Sequence, residues 1–367
     1  DVSHLAGRTR LKMVPHCKIS RFLIFVFLVI KPFFVHAQTG QLFWYDYAVD
    51  AAAPTGAYTS LEYDTNGFPH IAYTARADLE LGRGVKYASF DGTRWTIEDV
   101  DISGAGRLEL ALDEQNRPHI VYGSADQSTI MYATRDEGNW SLTPLLTSMS
   151  EGQAIYDRDI QTVGNTVHII FSTDNDPRPN TAYSVVHVKV VNGVVGEPYR
   201  IKNGIVGKWS SLAIGENNHP AVAFWDNGGD LFFAHYDGNL WNIDNVDNDG
   251  YTNNQGFYPS LLYGNDKTYY IAFQSHDPRK LRVASGRPGN WTIEDAADLS
   301  GWTLYTTPNP MVRNDAGTLY IAYYDVDTAS LMLLTKEENG SWISATVDAS
   351  GQAGQHASLA LNAEGLP

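Results

Sequence analysis

The chain has 367 residues, 43% of them hydrophobic and 19% charged, enough to bury a large core and too mixed for a disordered tail, a collagen or a coiled coil. Its formal charge of −16 argues against nucleic acid and anionic membranes as partners. Thirty-two glycines and 16 prolines beside 21 tyrosines and nine tryptophans are the composition of an all-β protein built of many short strands.

Residues 1–37 read as an untranslated stretch followed by a secretory signal. Met13 is followed by Lys18 and Arg21, the apolar run from Phe22 to Ile30, and the small-residue cleavage site Val35-His36-Ala37 before Gln38. The mature protein is therefore expected outside the cytoplasm, extracellular or periplasmic, with no membrane insertion once the signal is cleaved. The only cysteine, Cys17, leaves with the signal, which excludes thiol catalysis and cysteine-ligated metal. Cleavage removes six basic residues and one acidic one, so the charge becomes 20 − 41 = −21.

From residue 38 on the chain repeats. Tryptophans stand at positions 44, 95, 140, 241, 291 and 342, separated by 51, 45, 101, 50 and 51 residues, a period of about fifty with one doubled interval. The unit without its tryptophan carries Gly193-Val194-Val195 to Tyr199 there instead. In the first unit, four apolar runs (61–63, 70–73, 85–90 and 95–100) are separated by turn residues such as Asp64-Thr65-Asn66-Gly67. The order recurs at 108–146, 156–201, 209–247, 258–296 and 308–348, and no long stretch has a helical period.

Four-stranded units of this length set radially make a β-propeller. Six complete units (57–352) are expected, with a seventh blade split between residues 43–50 and 355–367 and truncated at its C-terminal end, giving a seven-bladed ring. The alternative is an unequal six-bladed ring in which residues 38–50 and 355–367 pair with each other.

The turn ahead of the fourth strand reads Ser89-Phe90-Asp91-Gly92-Thr93-Arg94-Trp95, with copies at 134–140, 236–241 and 286–291. These turns resemble the Asp-box hairpins of bacterial sialidases and other propellers, one residue shorter than their usual spacing. The resemblance implies that the carboxylate holds the turn's backbone donors, glycine supplies a positive φ, and the tryptophan plugs the core between blades. The repeat as a whole resembles tandem secreted bacterial and archaeal propeller repeats, through Ser358-Leu359-Ala360-Leu361 and Ile321-Ala322-Tyr323-Tyr324-Asp325. That group implies the ring and no single activity.

Position within the repeat sorts packing from function. His70, His119 and His168 share one rank in separate blades, where Ala221, Tyr270 and Tyr320 also stand, so the rank is a packing slot. Another rank, about three residues ahead of the first strand's core residue, holds Tyr58, Arg107, Tyr156, Trp209, Tyr258, Pro308 and His356. In a propeller that rank surrounds one mouth of the axial channel. Loops between second and third strands add Arg76, Asp174, Trp225, Asp226, His276, Asp277, Tyr324 and Asp325 to the same face, and Arg158 stands close by. Flat rings with carboxylates and arginines are what a sugar-binding surface requires. An extracellular glycan or polysaccharide is therefore the expected partner of a chain acting as a monomer.

A glycan-cleaving enzyme would need an opposed carboxylate pair, or a tyrosine nucleophile with its acid partner, and these positions supply the residue types without a defined pairing. The arginine-bearing motif that usually opens sialidase domains is absent. A protein-interaction scaffold on the same ring is the third alternative. Asn245, Asp247 and Asp249, with Gly250 at the sixth position, match the first part of a calcium loop, although Gly256 replaces the closing glutamate. No cofactor is expected to be required, with calcium an optional ligand there.

Overall fold

The computed structural model describes residues 48–51, 55–75, 84–126, 128–146, 155–174, 183–204, 206–226, 228–247, 256–299, 310–350, 354 and 357–367. They form an all-β propeller of six blades, each an antiparallel sheet whose strands follow one another outward in chain order. The innermost strands are Thr55–Tyr63, Ala105–Leu112, Ile155–Val163, Val206–Ile214, Phe257–Tyr263 and Met311–Arg313. In the third blade the fourth position is shared by Val194–Val195 and Tyr199–Gly204, both paired with Tyr183–Val191. The only helical turn among the described residues is the 3₁₀ segment Glu216–Asn218.

Blades pack through the repeat tryptophans. Trp140 of the second blade sits edge-on to Tyr87 of the first at 5.4 Å and donates from Nε1 to Glu98 Oε2. Trp241 meets His187 of the third blade and Trp291 meets Phe233 of the fourth in the same way. The ranked histidines are buried beneath them: His119 bonds Tyr132 Oη at 2.6 Å, His168 bonds His187 at 2.9 Å, and His70 bonds Tyr87 Oη. Burial lowers the His168 pKa to about 4, so this slot holds neutral rings near neutrality.

The hairpins ahead of the fourth strands are tied as their sequence implies. Asp91 Oδ1 accepts the amides of Thr93 and Arg94 at 2.8 and 2.9 Å, and Asp237 Oδ1 those of Asn239 and Leu240, both at 2.8 Å. Gly92 has φ +91°, and a Cβ there would stand 2.8 Å from the Phe68 ring.

The expected seventh blade is not formed: six sheets, five of four strands and the third of five, account for every strand among the described residues. Residues 357–361 carry a first strand's apolar alternation, yet they pair in no ladder. Ala357, Leu359 and Leu361 pack on the sixth blade, and Ser358 Oγ accepts the amide of Leu61 in the first blade at 3.0 Å. The segment thus fills the seam between the last and first blades. Alternation of apolar residues selects a face to bury, but only a strand with its own hydrogen-bonding neighbours makes a sheet. Residues 43–47 lie outside the described residues, and Asp50 accepts the Tyr73 hydroxyl at 2.8 Å.

Candidate functional site

Five of the six innermost strands break register at their first residues. Thr55 and Thr59 oppose Ala75 and Tyr73, Ala105 and Leu108 oppose the adjacent pair Gly123 and Tyr122, and Val206 and Ser210 oppose Asp226 and Phe224. The third and fifth blades bulge at the same place, between Ile155 and Arg158 and between Phe257 and Ser260. A bulge frees a residue from the ladder and re-aims its side chain. The residues left out of the ladders there include Tyr58, Arg107, Asp157, Trp209 and Tyr258, one per blade at equivalent positions, and they make up the candidate mouth of the axial channel.

In the third blade the sequence rank is corrected by one residue. Arg158 pairs with Phe171 just as Leu108 pairs with Tyr122 and Ser210 with Phe224, which makes Asp157 rather than Tyr156 the equivalent of Arg107 and Trp209. Asp157 stands three residues ahead of Ile160 just as Arg107 stands three ahead of Leu110, whereas Tyr156 stands four ahead. The side chain of Tyr156 lies outside the described residues.

On one side of the mouth are aromatic rings. Half-buried Trp209 lies 4.6 Å from the Tyr258 ring, 5.0 Å from Trp225 and 5.2 Å from Phe257, while Trp225 stacks on Phe257 at 5.2 Å and 26°. Trp225 is 6% exposed, and its Nε1 has no hydrogen-bond acceptor among the described residues. Phe257 belongs to this cluster and escaped the sequence reading because it stands one position ahead of the rank.

On the other side are charges. Arg107 Nη1 lies 3.5 Å from Asp157 Oδ1, and Arg158 Nη1 donates to the Arg107 carbonyl at 2.5 Å. Asp157 is 2% exposed and its Oδ2 accepts the Ser210 amide at 3.0 Å, which ties the charged side to the neighbour of Trp209. Burial draws the Arg158 pKa down to about 10 and raises that of Asp157.

Below the mouth a cavity of about 400 Å³ runs along the axis, lined by all six innermost strands and by Ser358. Glu62, Glu109 and Asp159 line it, and none of its lining residues is basic. Burial, aided by the Asp159 charge, pushes Glu62 up to about 7; burial likewise brings Asp159 to about 7 and holds Glu109 well above the usual carboxylate range. The sequence reading missed all three, although a signal for two was present. Ser60, Ser211, Ser260 and Ser358 share a rank whose hydroxyls accept the amides of Leu110, Leu261, Met311 and Leu61 in the next blade. Asp159 does the same for Leu212, and Glu109 stands at that rank too, so carboxylates replace serine in two consecutive blades.

The remaining sequence candidates are spread more widely. Asp226 Oδ1 accepts the amides of Gly228 and Asp230, and Asp325 those of Asp327 and, through Oδ2, the Thr328 hydroxyl, so both carboxylates brace their own turns. His276 begins the turn after Tyr269–Ser275. Arg76 and His356 lie outside the described residues. In the acidic loop, Asn245 donates to Asp230 at 3.3 Å and Asp247 Oδ2 takes Arg282 Nη1 at 2.8 Å, whereas Asp249 is outside the described residues.

No protein-family profile matches the chain, and no curated protein matches it. Solved structures do. The polysaccharide lyase Uly1 superposes with a TM-score of 0.53 at 10% identity, over 85% of this chain and 85% of that one. An Aleuria aurantia lectin variant in complex with Fucα1-6GlcNAc gives 0.50 at 10% identity, over 81% and 97%. A puromycin-hydrolyzing peptidase of Mycobacterium tuberculosis gives 0.52 at 14% identity, over 78% of this chain and 47% of that one. At such identities the likeness is one of fold, a propeller that hosts several chemistries.

Proposed function

We propose that this protein is an exported carbohydrate-binding propeller whose ligand, an extracellular glycan or polysaccharide, sits at the upper mouth of the axial channel. The observation that supports the reading is the recurrent bulge at the start of five innermost strands, which leaves Tyr58, Arg107, Asp157, Trp209 and Tyr258 out of ladder pairing at equivalent positions. Such distortion weakens each sheet where it occurs and is retained where a side chain must be aimed. The half-buried face of Trp209 supplies a platform for the C–H face of a sugar ring, and the Arg107–Asp157 pair supplies both a donor and an acceptor for hydroxyls. A fucose lectin and a polysaccharide lyase among the structures of like fold are consistent with this reading.

A second reading is glycan cleavage on the same axis. It is favoured by Glu62, Glu109 and Asp159 beneath the mouth, since carboxyls titrating near neutrality are suited to general acid and base work. One experiment separates the two. The mature protein is incubated with a polysaccharide and glycan panel, with and without calcium, and retained and released sugars are identified by mass spectrometry. Retention of intact glycan, lost in Trp209→Ala, supports binding. Shortened or unsaturated products establish an enzyme, and no interaction with any glycan removes both readings. The calcium arm tests the loop of Asn245, Asp247 and Asp249 as an optional metal site.

A further inference from the structure

Resting on the carbohydrate reading, we infer that the mouth selects sugars bearing an anionic oxygen group, a uronate carboxylate or a sulfate ester, which Arg107 receives while the sugar ring lies on Trp209. The mouth carries two guanidinium groups from consecutive blades, and Asp157 is the carboxylate beside them. One of its oxygens is committed to the Ser210 amide, and the other stands 3.5 Å from Arg107 Nη1, which makes no hydrogen bond among the described residues. Arg158 is 3% exposed, and its Nε likewise has no acceptor there. It occupies a slot between blades that Leu108 and Ser210 fill elsewhere in the ring. A buried guanidinium with unsatisfied donors is costly, and an apolar residue in that slot would avoid the cost.

What Arg158 does contribute is charge and support. Its Nη1 holds the Arg107 carbonyl, fixing the bulge that aims Arg107, and its positive charge adds to that of Arg107. Glu109 and Asp159 line the axial cavity, and burial raises both carboxyls, Asp159 to about 7, which reduces their opposition to the two arginines below that pH. The mouth is thus locally positive in a chain with 42 acidic and 26 basic residues. That local reversal of charge favours an anion on the ligand, which a guanidinium binds in a planar, two-pronged geometry.

The test is retention of the mature protein on four polymers: polygalacturonate, its methyl ester, a sulfated galactan and a neutral galactan. The expected result is retention on polygalacturonate or sulfated galactan at least about tenfold stronger than on the ester and the neutral polymer. Arg107→Gln should lose that margin and Arg107→Lys keep part of it, with thermal denaturation verifying that each variant is folded. Equal retention on acidic and esterified polymers overturns the inference and leaves the carbohydrate reading standing. The wild-type comparison decides this even if Arg107→Gln does not fold. Retention on none of these polymers overturns this inference, while the broader glycan panel decides the carbohydrate reading independently.

Discussion

Ser60 and Glu109 meet across the seam between the first two blades: the serine hydroxyl donates to Glu109 Oε2 at 2.9 Å and accepts the Leu110 amide at 3.0 Å. The serine hydroxyl thereby bridges the two blades as donor and acceptor, and Glu109 lines the axial cavity with Asp159 and Glu62. Their folded-state pKa values stand above the ordinary carboxylate range, so the folded protein binds more protons than the unfolded chain between roughly pH 4 and pH 7. Stability is highest at the acid end of that window and falls as pH rises through about 7. We expect the thermal midpoint to decrease from pH 5 to pH 8. Glu62→Gln should flatten the slope and regain roughly 3 kcal/mol at the alkaline end, the equivalent of its shift from 4.5 to about 7. A midpoint that rises over this interval would refute the assignment.

The tryptophan seams make a separate prediction. Trp140 spans from the second blade to Tyr87 and Glu98 of the first, so its removal opens a hole between sheets rather than at the surface. Trp140→Ala should cost roughly 3–5 kcal/mol in denaturant unfolding, against about 1 kcal/mol or less for Ile102→Ala, whose side chain is exposed at the blade edge. Equal losses in the two variants would mean that the seams do not carry the ring.

The period of fifty was legible because Trp140, Trp241, Trp291 and Trp342 answer to the same physical demand, filling a seam against the preceding blade. Blade number was not, since Leu359 and Leu361 satisfy that demand by lying on the sixth blade without strand partners of their own. The same distinction governs the site. The equivalence of Arg107, Trp209 and Tyr258 was legible from rank alone because each stands three residues ahead of a core leucine, Leu110, Leu212 or Leu261. Asp157 was displaced by one residue, and Glu109 and Asp159 were passed over at a rank that serine elsewhere makes structural. Register and the replacement of a hydroxyl by a carboxylate decide these positions, and both depend on what lies in the neighbouring blade.

Trp209 provides a direct test of the binding platform. Its ring is half-buried against Trp225, Phe257 and Tyr258, so truncation removes one face of the cluster while Trp225 and Phe257 remain stacked on each other. Trp209→Ala should weaken glycan retention at least about tenfold, as expected for loss of a central aromatic contact. Trp209→Phe should restore part of it, since a flat ring is kept. Retention unchanged in the alanine variant would place the ligand elsewhere.

Arg158 should show stability and binding moving in opposite directions. Arg158→Leu installs at this slot the residue type that the second blade carries as Leu108, which is 1% exposed and packs in the seam between the first two blades. It also removes a buried charge whose Nε has no acceptor among the described residues. Replacing a buried charged group by an apolar one of similar size is commonly neutral or stabilising by about 1–4 kcal/mol, provided its former partner is not stranded. The hydrogen-bond partner of Arg158 is the neutral Arg107 carbonyl, and Asp157 keeps both Arg107 and the Ser210 amide, so no charge is stranded. The expected outcome is a thermal midpoint equal to or above that of the wild type, together with weaker retention of acidic polymers, because Arg107 loses both the anchor on its carbonyl and the neighbouring positive charge. If unfolding shows a loss of several kcal/mol instead, Arg158 is there to hold the third blade to the second, and its placement at the mouth follows from packing.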